Sequence, residues 1–525
     1  MTESFRSPAP RACSAPSLAT VLAVARTFAL LGIEAERVHV ELDVAGGGLP
    51  SFSIVGLPDA AVRESRERVR SALVNSDFDF PQHRITANLA PADLPKVGPG
   101  FDLAIAAALL TASHQLPQRA LDRYALAGEL ALDGSIRPVP GALAMAEGVR
   151  GWGMRGIAVA SEDAGLAAMA DGVEVVPIDH IKRLEDLAGD AVEPASPPDR
   201  SSFDPGGNGH PDLSELRGQP GLRHAIEISA AGGHSALLIG PPGAGKTLAA
   251  RMLPSLLPPL GHAESLEVMR IMSACGERPT AAAATRRPFR APHHTASGPA
   301  LVGGGMPPRP GEVTRAHRGV LFLDELGEFR RDALEALRQP LEEGGITVAR
   351  AARTISLPCR FTLVGASNPC PCGRGADSGD CDCHPTAVAR YRAKLSGALA
   401  DRIDILVSVQ RPPADAMSSG PGESSGEVRE RVLAARARQE ERLGSGRCNA
   451  EMTPAEIRRH CRLGAEAERL LREGHERLGL SGRGWDRVVR VARTVADLKG
   501  LDEVGEPEIG EALSLRRRTD DDLGA

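Results

Sequence analysis

Apolar and polar residues alternate at Val38, Val40, Leu42 and Val44, which predicts a half-buried strand, and Phe52 with Ile54 predicts a second. Asp59 opens a charged helical stretch with Val62, Val69 and Leu73 on one side. Arg84 to Leu89 reads as a further strand, and Phe101 to Leu110 as a largely apolar helix. Leu132-Asp-Gly-Ser135 reads as a hairpin turn in which Asp133 and Gly134 supply the positive φ angles. Beyond residue 212 the pattern changes to short apolar runs, at His234–Ile239, Val320–Leu323, Phe361–Gly365 and Ile403–Val409, separated by helical stretches. A parallel sheet requires that alternation. The last segment is helical: Val428 to Leu443, a stretch opened by the capping box Thr453-Pro-Ala-Glu456, and another after Ser481.

Two stretches rich in Pro, Gly and Ser, residues 193–212 and 411–426, punctuate this pattern as linkers. They predict a multidomain α/β protein. An α+β domain spans 21–192, a parallel-sheet domain 213–410 and a helical domain 427–516, with an extension at 1–20 and a tail at 517–525. The extension reads as disordered or as a misassigned start. A chain of 525 residues is long enough for several cores. The formal net charge of −6 excludes a basic coat over the whole surface, and 3% aromatic residues leave few platforms for stacking bases. Nine cysteines, scattered except for one cluster, fit a reducing cytoplasm better than a disulfide framework. Leu18 to Ile33, interrupted by Arg26, is too short to span a membrane.

Chemistry enters at Leu237-Leu-Ile-Gly-Pro-Pro-Gly-Ala-Gly-Lys-Thr247. An apolar strand runs into Gly240, Pro241, Pro242, Gly243, Ala244 and Gly245, and a helical pattern opens at Lys246 and Thr247, matching G-x-x-x-x-G-K-T. Backbone N–H groups and the positive end of the helix dipole then converge on one spot, which suits a polyphosphate. Lys246 would reach the β/γ-phosphates and the Thr247 hydroxyl a Mg²⁺ ion. Only five of the 62 basic residues are lysines, so a lysine at this position points to a need for a compact charge.

Val320-Leu-Phe-Leu-Asp-Glu325 delivers two acids at a strand's C-terminal edge, where open α/β sheets bind ligands. Asp324 would serve Mg²⁺ through water, and Glu325 would polarise the attacking water. Asn368 ends another apolar strand and can bond the γ-phosphate or that water. Arg402, beside the last predicted strand, can stabilise charge on a neighbouring subunit's γ-phosphate. Arg483, opening a C-terminal helix, can close over the phosphates. A surface salt bridge is the competing reading for both arginines.

Gly218-Gln219, the phosphate loop, Leu321-Phe-Leu-Asp-Glu-Leu-Gly-Glu-Phe329, Asn368-Pro-Cys-Pro-Cys-Gly373 and Leu395-Ser-Gly…Asp401-Arg-Ile-Asp404 together resemble the YifB/ComM family of magnesium-chelatase-like AAA+ ATPases. Pro50-Ser-Phe-Ser-Ile-Val-Gly-Leu-Pro-Asp59 and Asn88-Leu-Ala-Pro-Ala-Asp-Leu-Pro-Lys96 extend the likeness, which runs from about Ala25 to about Arg518. The resemblance implies Walker A at Gly240–Thr247, Walker B at Asp324 and Glu325, sensor 1 at Asn368, an arginine finger at Arg402 and sensor 2 at Arg483. It places Gly218 and Gln219 near adenine. Arg487 and Arg490 lie on the same helix as Arg483 and compete for its role. The resemblance also implies a Lon-protease-like N-terminal domain of the ribosomal-protein-S5 domain 2 type. The protease serine would fall in Gly98-Pro-Gly100 and its lysine near Gly141-Ala-Leu143; neither is present, so peptide cleavage has no nucleophile.

Cys370, Cys372, Cys381 and Cys383 form two C-x-C pairs that can converge on a tetrahedral Zn²⁺, with His384 as a substitute ligand. The competing reading is a loop of free thiols. Basic segments at Arg286–Arg290, Arg309–Arg318 and Arg350–Arg353 would line the pore of a ring and follow phosphates without reading bases, or else be solvated loops. His293 and His294 read as structural or pore-facing. By resemblance, the first functional expectation is a hexameric ATP-driven motor on branched or single-stranded DNA, a branch-migration helicase linked to natural transformation, with ATP and Mg²⁺. The second is a chelatase-type motor that remodels a protein partner.

Overall fold

The computed structural model describes residues 21–45, 49–189, 192–198, 209–305, 308–350, 353–374, 381–396, 399, 402–418, 420 and 422–516. The extension 1–20, residues 199–208 of the first linker, Asp401 and the tail 517–525 lie outside the described residues. The chain divides into two compact units, one of Glu34–Pro197 with residues up to Leu30, the other of Pro198–Ala525 with Leu31–Ile33.

In the first unit four strands lie in the order Val21–Leu31, Glu34–Ala45, Arg84–Ala90, Ser51–Val55. Arg84–Ala90 pairs antiparallel with Glu34–Ala45 and parallel with Ser51–Val55. The alternation read from the sequence is the burial pattern observed, with Val38, Val40 and Leu42 wholly inside. Asp59 caps the helix Ala60–Asn75, its carboxylate accepting from the Val62 N–H at 2.8 Å. The helix Asp102–Ala112 is buried at every position, as an all-round apolar helix must be. A second sheet of Tyr124–Ala127, Gly156–Ala160 and Glu174–Ile178 is entirely parallel.

The hairpin at Asp133-Gly134 departs from expectation. Its strands, Glu129–Leu130 and Ile136–Arg137, are joined by a longer loop, and only Gly134 takes a positive φ, +88°. Asp133 stays out of that region because its carboxylate accepts from the Ser135 N–H at 3.0 Å and hydroxyl at 2.7 Å, a side-chain turn that replaces a backbone one.

The second unit holds a five-stranded, all-parallel sheet in the order Phe289–Arg290, Val320–Leu323, Thr362–Ser367, Ala236–Ile239, Ile405–Ser408. Four of these are the strands expected, shifted by a residue or two; the edge strand Phe289–Arg290 is too short to leave a period. The strands Ala236–Ile239 and Val320–Leu323 are buried throughout, so the continuous apolar runs are the mark of a sheet covered on both faces.

Helices Ser425–Leu443, Pro454–His460, Ala465–Leu478, Gly482–Leu498 and Glu506–Ser514 follow within the same unit. The Thr453/Glu456 capping box forms as read, and Ser424 with Glu427 forms another. Gly482–Leu498 packs on the helix Pro220–Gly232 and on Ser425–Leu443. A buried polar chain pins its base: Thr494 meets His234 Nε2 at 2.8 Å, His234 Nδ1 meets Asp404 at 3.1 Å, and Arg487 meets Asp404 at 3.1 Å. Burial opposes ionisation of Asp404, but His234 and the arginines hold its carboxyl below the usual range.

Candidate functional site

The loop after Ile239 is shaped by close approach and by handedness. A side chain at Gly240 would come within 2.0 Å of the Val409 carbonyl, so the chain can pass the neighbouring strand only as glycine. Gly245 has φ +89°, a left-handed conformation open to glycine, and it caps the helix Lys246–Leu256. Lys246 thus starts a helix at the carboxyl end of a central strand. Its ammonium donates to the carbonyls of Gly240 and Pro241 and, at 3.2 Å, to Asn368 Oδ1. Burial pushes Lys246 below its ordinary value, with Asp324 opposing the shift.

Sheet order explains the contact with Asn368. Thr362–Ser367 lies directly beside Ala236–Ile239, and the Gly240 N–H donates to the Ser367 carbonyl at 3.1 Å. Val320–Leu323 lies one strand further out, and there the Thr247 hydroxyl donates to Asp324 Oδ2 at 2.9 Å. The strand ends therefore bring Lys246, Thr247, Asp324 and Asn368 together. Glu325 follows at φ +52°, unusual for a side chain of its size, with its carboxylate 3.2 Å from His294 Nδ1. Gln219 is buried against the loop; its amide donates to the Ala244 carbonyl at 3.3 Å and to that of Gln410. Gly218 precedes it at φ +66°.

Residues 212–417 match the family described as magnesium chelatase, subunit ChlI; residues 40–163 match subunit ChlI of Mg-chelatase, and 422–516 its C-terminal region. The protein YifB of Escherichia coli K12, itself uncharacterized, is 44% identical over 500 residues, covering 94% of this chain and 97% of the relative. Competence protein ComM of Haemophilus influenzae is 40% identical over 506 residues, with the same coverage. The chain belongs to the YifB/ComM family of magnesium-chelatase-like AAA+ ATPases. A magnesium-chelatase 38 kDa subunit of Cereibacter sphaeroides is a more distant relative of this YifB/ComM chain, 28% identical over 176 residues, which cover 30% of this chain and 52% of that subunit.

Arg402 and Arg483, read from the sequence as separate phosphate ligands, meet at one carboxylate. Glu342 Oε1 accepts from Arg402 and, at 3.0 Å, from Arg483. Arg402 is almost wholly covered, whereas Arg483 is largely exposed. Arg487, its competitor, is occupied in the buried chain with Asp404.

The four cysteines of this YifB/ComM chain converge. Cys370 Sγ lies 3.3 Å from Cys372 Sγ and 3.7 Å from Cys381 Sγ, and all four sulfurs fall within 4.8 Å of one another. The Arg374 backbone N–H, helped by the Cys370 thiol, draws Cys372 down to about 6. Neighbouring thiols push Cys381 and Cys383 the other way, so it is the spacing of the four sulfurs that fits a soft, four-coordinate cation.

Two of the three basic segments are largely engaged in ion pairs. Arg287 pairs with Glu264 at 2.9 Å, Arg290 with Glu312 at 2.8 Å, Arg315 with Glu277 at 3.2 Å and Arg318 with Glu267 at 2.8 Å. The third forms an antiparallel hairpin, Gly345–Arg350 with Arg353–Pro358, in which Arg350 and Arg353 are the last pair before the tip. Tip residues 351–352 and the side chains of both arginines lie outside what is described.

Sequence reasoning missed Glu342 and gave His294 no contact with the site, whereas its ring stands 4.1 Å from that of His293 and its Nδ1 3.2 Å from Glu325. Neither carries a local signal, because each acquires its role from a partner remote in sequence. Among the described residues no helix is long and apolar enough to cross a membrane.

Proposed function

We propose that this chain hydrolyses ATP and uses the energy as a motor on DNA, in a hexameric ring of its own copies in the cytoplasm. The observation that carries the reading is the convergence of Lys246, Thr247, Asp324 and Asn368 at the carboxyl ends of adjacent parallel strands. In this reading Gly240–Thr247 cradle the phosphates, Lys246 pairs with the β/γ-phosphates and Gln219 with Gly218 borders the adenine. Thr247 and Asp324 offer the hard oxygen donors that suit Mg²⁺, which when bound neutralises phosphate charge. Glu325 takes the proton of the attacking water and Asn368 orients it. Arg402 acts on the phosphate of the neighbouring copy. The shared hold on Glu342 supports Arg483 acting beside it.

Cys370, Cys372, Cys381 and Cys383 hold Zn²⁺ in this reading. Residues 21–192 form a Lon-protease-like domain without peptidase chemistry, consistent with Gly100 lacking a side chain and Leu143 being fully buried. Residues 427–516 form a helical C-terminal domain. Likeness to a competence protein and the basic hairpin at Arg350 and Arg353 support DNA, taken up in natural transformation, as the track.

Lys246→Ala should lose ATP affinity, whereas Glu325→Gln should bind ATP and turn over about 10²–10⁴-fold more slowly. A metal-replete protein without ATP affinity, or a Glu325→Gln variant with full turnover, overturns the assignment. ATPase rates with forked, four-way and duplex DNA across a salt series test the track. Stimulation by branched DNA that fades with salt, and is lost when Arg350 and Arg353 are neutralised, is expected. A DNA-indifferent ATPase would instead favour a chelatase-type motor on a protein partner, the reading that the match of residues 212–417 to a chelatase subunit supports.

A further inference from the structure

One residue, Pro369, separates Asn368 from Cys370, and Cys370 is fully buried. Bonds of about 2.3 Å to one tetrahedral zinc ion would set sulfur atoms roughly 3.8 Å apart. The observed 3.3, 3.7 and 3.6 Å among Cys370, Cys372 and Cys381 lie close to that spacing.

The cluster has neighbours on two sides. The Gly373 N–H closes a turn on the Cys370 carbonyl at 3.0 Å, and Gly373 has φ +81°. A side chain there would stand 3.0 Å from Pro242 and 3.7 Å from the Asn368 amide carbon, so this turn packs directly on the phosphate loop. On the other side Cys383 leads through His384 into the helix Pro385–Ser396. The Tyr391 hydroxyl of that helix lies 3.1 Å from Ser367 Oγ, next to Asn368 in sequence. Lys394 donates to the Gly327 carbonyl at 3.0 Å, two residues beyond Glu325. A cross-link at the four sulfurs therefore joins three segments: one ending at Asn368, one touching Pro242 and one bracing the chain after Glu325.

We propose that zinc held by Cys370, Cys372, Cys381 and Cys383 positions Asn368 and the Glu325 segment, and so sets the rate of ATP turnover while leaving nucleotide binding nearly unchanged. The inference rests on reading Lys246 and its neighbours as an ATP site and the four cysteines as a zinc site. Lys246 and the glycine loop are built by strand, turn and helix alone, so affinity survives loss of the ion. Asn368 owes its register partly to the segment that follows it, so the chemical step suffers.

The full chain is purified with zinc, and its metal content, affinity for a fluorescent ATP analogue, kcat and KM are measured before and after chelation under reducing conditions. One zinc per chain is expected, with kcat falling about 10–100-fold on removal, short of the roughly 10²–10³ lost with a preorganised donor itself, and affinity changing less than about threefold. In Asn368→Ala, removal of zinc should change kcat far less than in the parent, because the two act through one residue. A readout that needs no metal-free protein is the absorption of the Co²⁺-substituted chain. Its d–d bands should shift when a non-hydrolysable ATP analogue binds, and the shift should shrink in Asn368→Ala.

Several results overturn the proposal. Zinc-replete protein that binds no ATP sinks the ATP reading itself, and a chain that retains no zinc sinks the metal reading. Zinc-free protein with unchanged kcat, an equal loss in Asn368→Ala, or cobalt bands indifferent to nucleotide sinks the coupling alone.

Discussion

His294 and Glu325 show how one contact can bear on the chemical step. His294 Nδ1 stands 3.2 Å from one Glu325 carboxylate oxygen and so can restrain one end of a side chain that is otherwise half exposed. The backbone of Glu325 is left-handed, which costs a side chain of this kind about 1 kcal/mol and holds the carboxylate in a particular direction. His294→Ala should therefore raise the basal ATPase rate severalfold and reduce any further stimulation by a partner, since the restraint is gone from the start. A basal rate that falls with the substitution, at unchanged ATP affinity, would show that His294 assists Glu325 instead. Glu342 presents the same logic for the arginines: one carboxylate accepts from both Arg402 and Arg483.

Among the elements, the helix Pro220–Gly232 meets Glu506–Ser514 through a titratable contact. His224 lies 3.6 Å from Glu227 on its own helix and hydrogen-bonds Glu511 on the other. The carboxylates of Glu227 and Glu511 raise His224 to about 9 against the opposing effect of burial. The sign follows from linkage: a raised histidine contributes fully below its unfolded value, about 6.5, and the contribution is lost as pH rises through about 9. The melting temperature of the parent should thus exceed that of His224→Gln at pH 6, and the gap should close by pH 10. A gap that stays constant across this range refutes the ion pair's part in holding the last helix. In the first unit, Asp59→Ala removes a cap that also accepts from the Gly98 N–H at 3.1 Å. A loss of about 1 kcal/mol in denaturant unfolding is expected, and no shift in midpoint would show that the cap is redundant.

For the whole molecule, the proposed ring makes a prediction that no single subunit can satisfy. Lys246→Ala removes the phosphate ligand from one side of a shared site, and Arg402→Ala the cation from the other. Each variant alone should be inactive. Mixed in equal amounts and reassembled, they should recover about a quarter of the parent rate, since roughly one interface in four then joins an intact loop to an intact arginine. No recovery, in rings shown to exchange subunits, would place Arg402 in the same subunit's chemistry.

The glycine loop after Ile239 was legible because strand, turn and helix are contiguous, and periodicity with turn chemistry encodes all three locally. Apolar runs ending in Asp324-Glu325 and Asn368 were legible for the same reason, as were the paired cysteines. The hairpin at Asp133 was misread because a side chain supplied the turn that a backbone conformation was expected to make. Which partners meet was decided only in three dimensions. Lys246 and Asn368 lie 122 positions apart and touch because their strands are neighbours. Arg287, Arg290, Arg315 and Arg318 look like a basic surface in sequence, yet each is paired with an acid brought to it by packing. His294 and Glu342 acquire their roles in the same way. The amino-acid order by itself determined the elements and the chemical groups at their ends; strand order and side-chain packing, which depend on contacts far along the chain, decided which groups share a site.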